Sequence, residues 1–312
     1  MGKKKKSSSS STTPTTTTTE TKTDVNNNNS DSITNGAVFD PFAGLEESQI
    51  DAHKEFKEKL STLELDDKEK LWIDDMLIFR YLRARDYNVK AAFELFQGTL
   101  KWRKEFKPDE INPDKLSYEA SSGKQYCGPF TTKSRPLITM APRKENTKNY
   151  ERQIQLLVYT IERAITKMDA SQGCEQLAIL IDFNGYSIMN APPLSVSKQT
   201  LDILSSHYPE RLGVAFIVDP PLVFSVFWNI ISPLINKNTV KKIVFVKGEK
   251  EKKKVLSQYF ESEQLETAFG GTSDYQYDHA VHWKQEIEFY RNKNNLPPLS
   301  DEEITKILEL KD

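Results

Sequence analysis

Fifteen consecutive residues, PLVFSVFWNIISPLI from Pro221 to Ile235, carry no charged side chain. Drawn as a helix, the run has no polar stripe to turn toward water. It is also too short to cross a bilayer, which takes ~20 residues. Polar and charged residues crowd both flanks, with Glu210, Arg211 and Asp219 before it and Lys237, Thr239, Lys241 and Lys242 after it. Such a helix is either buried in a core or laid over something apolar that is not protein. The run alone fits both readings.

The rest of the chain limits the choices. Its start, MGKKKKSSSSSTTPTTTTTETKTDVNNNNSDSITNG, is almost free of aliphatic residues. A segment like this cannot bury enough apolar surface to offset chain entropy, so residues 1–45 are expected to form a disordered tail. Basic and acidic residues nearly balance, 43 against 45, which gives no general case for nucleic-acid binding. One local cluster, Lys250, Lys252, Lys253 and Lys254, follows the apolar run closely and is expected to face a membrane. Each such charge contributes about 1 kcal/mol of attraction near an anionic surface. Two cysteines, Cys127 and Cys174, form no disulfide framework and fit a reducing compartment. The N-terminus lacks the apolar core of a signal peptide, and Lys6 stands where N-myristoylation wants Ser or Thr. The expectation is a cytoplasmic, monomeric protein that meets membranes peripherally and transiently.

Helical spacing dominates residues 48–106, where Val89, Ala92, Phe93, Phe96 and Leu100 recur on one face. Asp74 and Asp75 stand where an N-cap and a first-turn acid belong. After the Pro- and Gly-containing break SSGKQYCGP, strands and helices alternate. Strands are predicted from Arg135 to Met140, Gln176 to Asp182, Val214 to Val218 and Lys242 to Val246. Helices are predicted from Tyr150 to Met168, after Pro192-Pro193 and through the apolar run. This is the pattern of an α/β fold whose mainly parallel sheet is covered on its faces. From Asp278 onward, short outer helices are expected, broken at Leu296-Pro297-Pro298.

Catalytic chemistry finds little support. No Gly-x-Ser-x-Gly elbow or Gly-rich phosphate loop is present. Neither cysteine has the Arg that a phosphatase nucleophile would need six positions on. His279 and His282 lack a third metal-ligand candidate, and Asp182 followed by Asn184-Gly185 forms a turn most simply. No enzyme, cofactor or metal is expected.

Three motifs in order carry a resemblance. YPERLG leads into a strand, a proline pair, the aromatic-rich helix and a Lys-Ile strand. Upstream stands MLIFRYLRARDYNVKAAFELFQGTLKWRKEF, and downstream LETAFGGT. Together these resemble the CRAL-TRIO lipid-binding family, nearest to the yeast-type phosphatidylinositol/phosphatidylcholine transfer proteins. The resemblance implies an N-terminal helical module over 46–110 and a CRAL-TRIO lobe over 111–285, with a helical extension over 286–312. In that lobe the sheet floors a lipid pocket gated by the helix from Leu222 to Ile235. It implies a non-catalytic carrier, with phosphatidylinositol as ligand.

By position in those motifs, Arg85, Glu210, Thr239 and Lys242 are expected at the lipid headgroup. A phosphate suits Arg or Lys, and inositol hydroxyls suit a carboxylate and a hydroxyl. Phe224, Phe227, Trp228, Ile231 and Leu234 are expected in the gate, with Leu177 and Ile179 in the acyl pocket. Three departures matter. Asp86 replaces the family's basic residue, and Leu177 and Ile179 replace hydroxyl residues of phosphatidylcholine-binding relatives. Phe130 to Pro136 keeps only the Arg-Pro of the usual Asp-x-x-Gly-Arg-Pro turn. Carriage of a sterol or isoprenoid, or a docking role without lipid shuttling, therefore stays open.

Overall fold

The computed structural model describes residues 39–310; the tract before them, Lys3 to Lys6 included, lies outside the described residues. Placement starts earlier than the expected tail boundary. Phe42 lies edge-on to His53 and Phe79, with ring centroids 4.9 and 5.2 Å away. The reason is local, because FDPFAGL brings aromatic and aliphatic surface that the Ser/Thr/Asn tract lacks.

Four helices build the first layer: α1 (Glu47–Leu60), α2 (Asp67–Trp72), α3 (Asp75–Arg83) and α4 (Val89–Phe106). Asp74 caps α3, its carboxylate accepting the Leu77 N–H at 2.6 Å. Phe56, Leu77, Leu82, Ala92 and Phe96 are buried between these helices. Several contacts join this layer to the lobe. Thr99 Oγ1 on α4 donates to the Ser206 carbonyl at 3.0 Å, and Trp102 stacks on His207 at 4.3 Å. Glu175 pairs with Arg80 at 3.0 Å and with Arg83, while Arg211 donates to its backbone carbonyl at 2.9 Å.

The lobe continues with α5 (Ser117–Ala120), β1 (Gln125–Phe130), β2 (Pro136–Met140), α6 (Tyr150–Ile165), β3 (Leu177–Asp182), α7 (Leu194–His207) and β4 (Leu212–Val218). Then come α8 (Leu222–Ile231), α9 (Lys237–Val240), β5 (Ile243–Val246) and α10 (Gly248–Leu256). The strands lie in sequence order; β2 to β5 run parallel and β1 is antiparallel at the edge. The segment expected to be a break is thus partly a strand. Gly128 and Pro129 hide it in sequence, since neither is a strand former.

Alternation along the strands gives the sheet two faces. Leu137, Leu180, Val214, Phe216 and Val246 pack against Leu256 of α10 and against Phe260, Leu265 and Phe269. On the opposite face, Ile138, Leu177 and Ile179 pack under α6 and α7 through Ile154, Val158 and Ile203. Gly271 in the closing GGT admits no side chain, because a Cβ there would stand 1.9 Å from the Leu265 carbonyl oxygen.

The C-terminal part differs from the expected short helices. α11 (His279–Lys293) runs 15 residues, capped by Asp278, and only α12 (Asp301–Leu308) is short. Trp283, Ile287 and Ile304 bury against Leu116 and Leu156.

Candidate functional site

The strand register carries the second face past α7 toward the β5 edge. Ile179 lies beside Ala215 and Ile243, and Ile181 beside Ile217 and Phe245. Toward β5 this apolar face has α8 for a cover, and the cover is loose. Phe224 and Ile231, two turns apart, are buried. Phe224 meets four rings: Phe183 at 4.9 Å, Phe227 at 5.8 Å, Phe245 at 6.2 Å and Trp228 at 6.3 Å. Trp228 in turn meets Phe245 edge-on at 5.3 Å. Phe227 and Trp228 are half-buried, and Leu234 is exposed beyond the helix end.

α8 is therefore neither a core helix nor a sealed lid. Its other side, which carries Ser225 and Asn229, still turns large apolar residues outward, with Leu222 86% and Val226 62% exposed. Phe245, on the sheet face beside α8, keeps 41% exposure. Water against so much hydrocarbon is unfavourable at about 25 cal/mol per Å². The arrangement suits an apolar occupant beneath the helix and an apolar phase outside it. Of the expected pocket residues, Ile179 reaches this face partly exposed, whereas Leu177 is packed under α6 and α7.

Glu210 and Lys242 meet at the starts of β4 and β5. Lys242 Nζ lies 3.1 Å from Glu210 Oε2, and each side chain is about a quarter exposed. Glu210 holds a left-handed φ of 55° within the YPERLG turn. Thr239 sits beside them on α9, its carbonyl accepting the Lys242 N–H at 3.0 Å. Arg85 does not join them. Its guanidinium donates to the Ala84 carbonyl at 2.9 Å, and among the described residues no hydrogen bond or ion pair links it to the other three. The chain reverses beside it through Asp86 and Tyr87, both left-handed at φ 48° and 60°.

The expected basic patch is narrower than its sequence. Lys252 is buried and turns inward, pairing with Asp219 at 2.8 Å and Glu249 at 2.7 Å. Burial alone would raise the Asp219 carboxyl, but the Gly248 N–H and the Lys252 ammonium hold it below the usual range. Lys250, Lys253 and Lys254 face outward.

Sequence reasoning missed several residues here. Glu175 with Arg80, Arg83 and Arg211 is a charged junction at the base of the lobe. Burial and neighbouring Arg80 bring the Arg211 guanidinium down to about 10. Phe183 and Phe245 join the ring cluster; the single exposed position in β5 follows from its place at the sheet edge. His279 and His282 serve α11 packing instead of a site, with His279 bridging Ser117 at 3.1 Å and Tyr277 at 3.2 Å.

Comparison with known proteins agrees with this architecture. The CRAL/TRIO domain matches residues 120–271 and the CRAL/TRIO N-terminal domain residues 52–98. A CRAL-TRIO domain-containing protein of Schizosaccharomyces pombe is 33% identical over 249 residues, covering 80% of this chain and 24% of that protein. Phosphatidylinositol transfer protein PDR17 of Saccharomyces cerevisiae is 31% identical, with 72% of this chain and 65% of that protein covered. The chain thus spans less than two thirds of either. SEC14 cytosolic factor of Kluyveromyces lactis is 30% identical over 77% of this chain and 83% of its own length. The crystal structure of Sfh5 superposes with a TM-score of 0.57 at 16% identity, covering 81% of this chain and 99% of that one. Motifs, sheet order and these matches agree: the chain belongs to the CRAL/TRIO family.

Proposed function

We propose that this protein binds phosphatidylinositol without catalysis, its acyl chains in the groove between α8 and the β3–β5 face, and carries it between membranes. The observation that carries the reading is an apolar sheet face that α6 and α7 cover at one side and that, toward β5, meets an apolar helix itself exposed on its outer side. Relatives named as phosphatidylinositol transfer proteins support the ligand. Moving a diacyl lipid through water costs about 0.8 kcal/mol per CH₂. Passing it from bilayer to groove exchanges one hydrocarbon environment for another, so exchange needs only that α8 open at a membrane.

In this reading Lys242 takes the phosphate, and Glu210 and Thr239 take inositol hydroxyls. Helical module, lobe and extension are the working divisions, at 46–110, 111–285 and 286–312. No helix among the described residues is long and apolar enough to cross a membrane. The carrier is read as a monomer that works from the cytoplasm and touches membranes transiently.

Native mass spectrometry of the purified chain tests the reading. One phosphatidylinositol per chain is expected. A tightly held sterol or isoprenoid that phosphatidylinositol cannot displace would replace it with the second reading, which Asp86 and the position of Arg85 favour. A docking module without shuttling is separated by a transfer assay, because it would bind vesicles and move nothing between them.

A further inference from the structure

Between β3 and α7 the chain makes a short turn whose tip is apolar and faces water. Ile188 is 62% and Met189 80% exposed. Everything behind the tip is fastened by polar contacts. Lys148 Nζ donates to the Met189 carbonyl at 3.0 Å, and Asn190 Nδ2 to the Arg143 carbonyl at 3.4 Å. Asp182 accepts the Asn184 N–H at 3.0 Å and pairs with Arg143. The Asn190 N–H closes the turn onto the Ser187 carbonyl at 2.9 Å. A turn this well held could present polar side chains at no structural cost, yet it presents two of the more apolar ones.

The turn that carries the tip reaches the rings under α8. Phe183 contacts Tyr186 of the turn at 5.3 Å and Phe224 of α8 at 4.9 Å. Phe183 thus ties the turn to the buried ring cluster under α8, next to the exposed apolar residues of that helix. Cations flank both: Arg143, Lys144 and Lys148 are exposed beside the tip, and Lys237 and Lys241 lie beyond the end of α8. Of the nearby acids, Asp182 pairs with Arg143, Glu145 shares Lys124 with Glu119, and Glu151 is exposed at the start of α6. Apolar tips ringed by ammonium groups suit an anionic bilayer, with side chains among the acyl chains and cations at the headgroups.

We propose that the turn bearing Ile188 and Met189 is a second membrane-contacting element, entering an anionic bilayer beside the outer side of α8. The proposal rests on α8 opening toward a membrane, but it assigns a different segment and does not need phosphatidylinositol as cargo. Two anchors on either side of the groove would set its mouth against the bilayer surface.

The test is flotation of the full chain with vesicles of phosphatidylcholine, with and without phosphatidylserine. It is run with native mass spectrometry for bound lipid and a melting curve. Ile188→Asp with Met189→Asp should reduce flotation roughly tenfold while melting temperature and bound lipid stay unchanged. Lys144→Ala with Lys148→Gln, which keeps a donor for the Met189 carbonyl, should remove the preference for anionic vesicles. Undiminished flotation of the Asp variant would overturn the proposal even if phosphatidylinositol copurifies. So would a wild type that floats equally with neutral vesicles. Self-association abolished by the Asp variant, with flotation unaffected, would assign the tip to a second copy of the chain. Loss of flotation in a protein that carries no lipid would leave the proposal standing and sink the carrier reading.

Discussion

Lys242 and Glu210 approach to 3.1 Å across the starts of neighbouring parallel strands, and each keeps about a quarter of its side chain in water. A pair so placed is neither a core ion pair nor a free surface one. It can open toward a polar guest that offers a phosphate to one member and hydroxyls to the other.

Lys242→Ala should therefore weaken phosphatidylinositol transfer about tenfold, the equivalent of one charge-assisted hydrogen bond. The fold should survive, since the lysine lies outside the buried core. Adding Arg85→Ala should deepen the loss if that side chain leaves the Ala84 carbonyl to meet the ligand. A well-folded double variant with the wild-type transfer rate would place the headgroup elsewhere.

Phe227→Asp with Trp228→Asp should abolish exchange, because both half-buried rings lie where α8 meets the sheet edge. Phe224→Ala addresses stability instead: Phe224 is buried at the centre of the ring cluster, and truncation there costs about 3–5 kcal/mol. A variant keeping Trp228 as its sole tryptophan gives the direct measurement. Its emission should shift on adding anionic vesicles, and a static spectrum in a transfer-competent variant would rule out movement of α8.

Glu175→Gln should loosen the junction of helical module and lobe. It leaves Arg80, a buried cation, and neighbouring Arg83 without their shared carboxylate. A loss of about 3 kcal/mol is expected in denaturant titration, the low end for breaking a buried pair. A change within experimental error would show that solvent screens the cluster.

All four histidines, His53, His207, His279 and His282, are held below the usual value of 6.5, chiefly by burial. The unfolded chain then binds more protons than the folded one once pH falls below that value. Stability these groups contribute is present above pH 6.5 and declines as the medium becomes more acid. Melting temperature should drop between about pH 7 and pH 5, and His207→Gln should blunt part of the drop. A flat profile would contradict the assignment of neutral, buried imidazoles.

Lys253→Glu with Lys254→Glu should make vesicle binding weaker and less salt-sensitive, without moving the melting temperature. Lys252→Met should do the reverse, lowering stability while leaving salt sensitivity alone, because its ammonium is spent on Asp219. Equal effects of both changes on vesicle binding would refute this division of the lysine run.

The alternation of elements was legible because strands buried on both faces are continuous apolar runs, as in Gln176 to Asp182. β1 was not, since Gly128 and Pro129 interrupt its pattern. The pairing of Glu210 with Lys242 could be anticipated from two motifs, each local in sequence. The Glu175 junction could not, because Arg80 stands 95 residues away from it and nothing local marks the carboxylate. The lysine run shows a third kind of limit. KEKKK has no direction until a helix fixes its phase, and α10 turns only Lys252 inward.

The clasp between α4 and α7 gives the groove unequal sides. Through the Thr99–Ser206 bond and the Trp102–His207 stack, one wall is fastened to a helical bundle with its own core. The opposite wall, α8, is held by a few ring edges and by nothing polar among the described residues. Any widening of the proposed groove would then fall on α8, the side with fewer buried contacts. In the proposed carrier a guest would be measured against a stiff surface on one side and accommodated by a yielding one on the other, so differences in chain length and unsaturation would be absorbed where the helix gives.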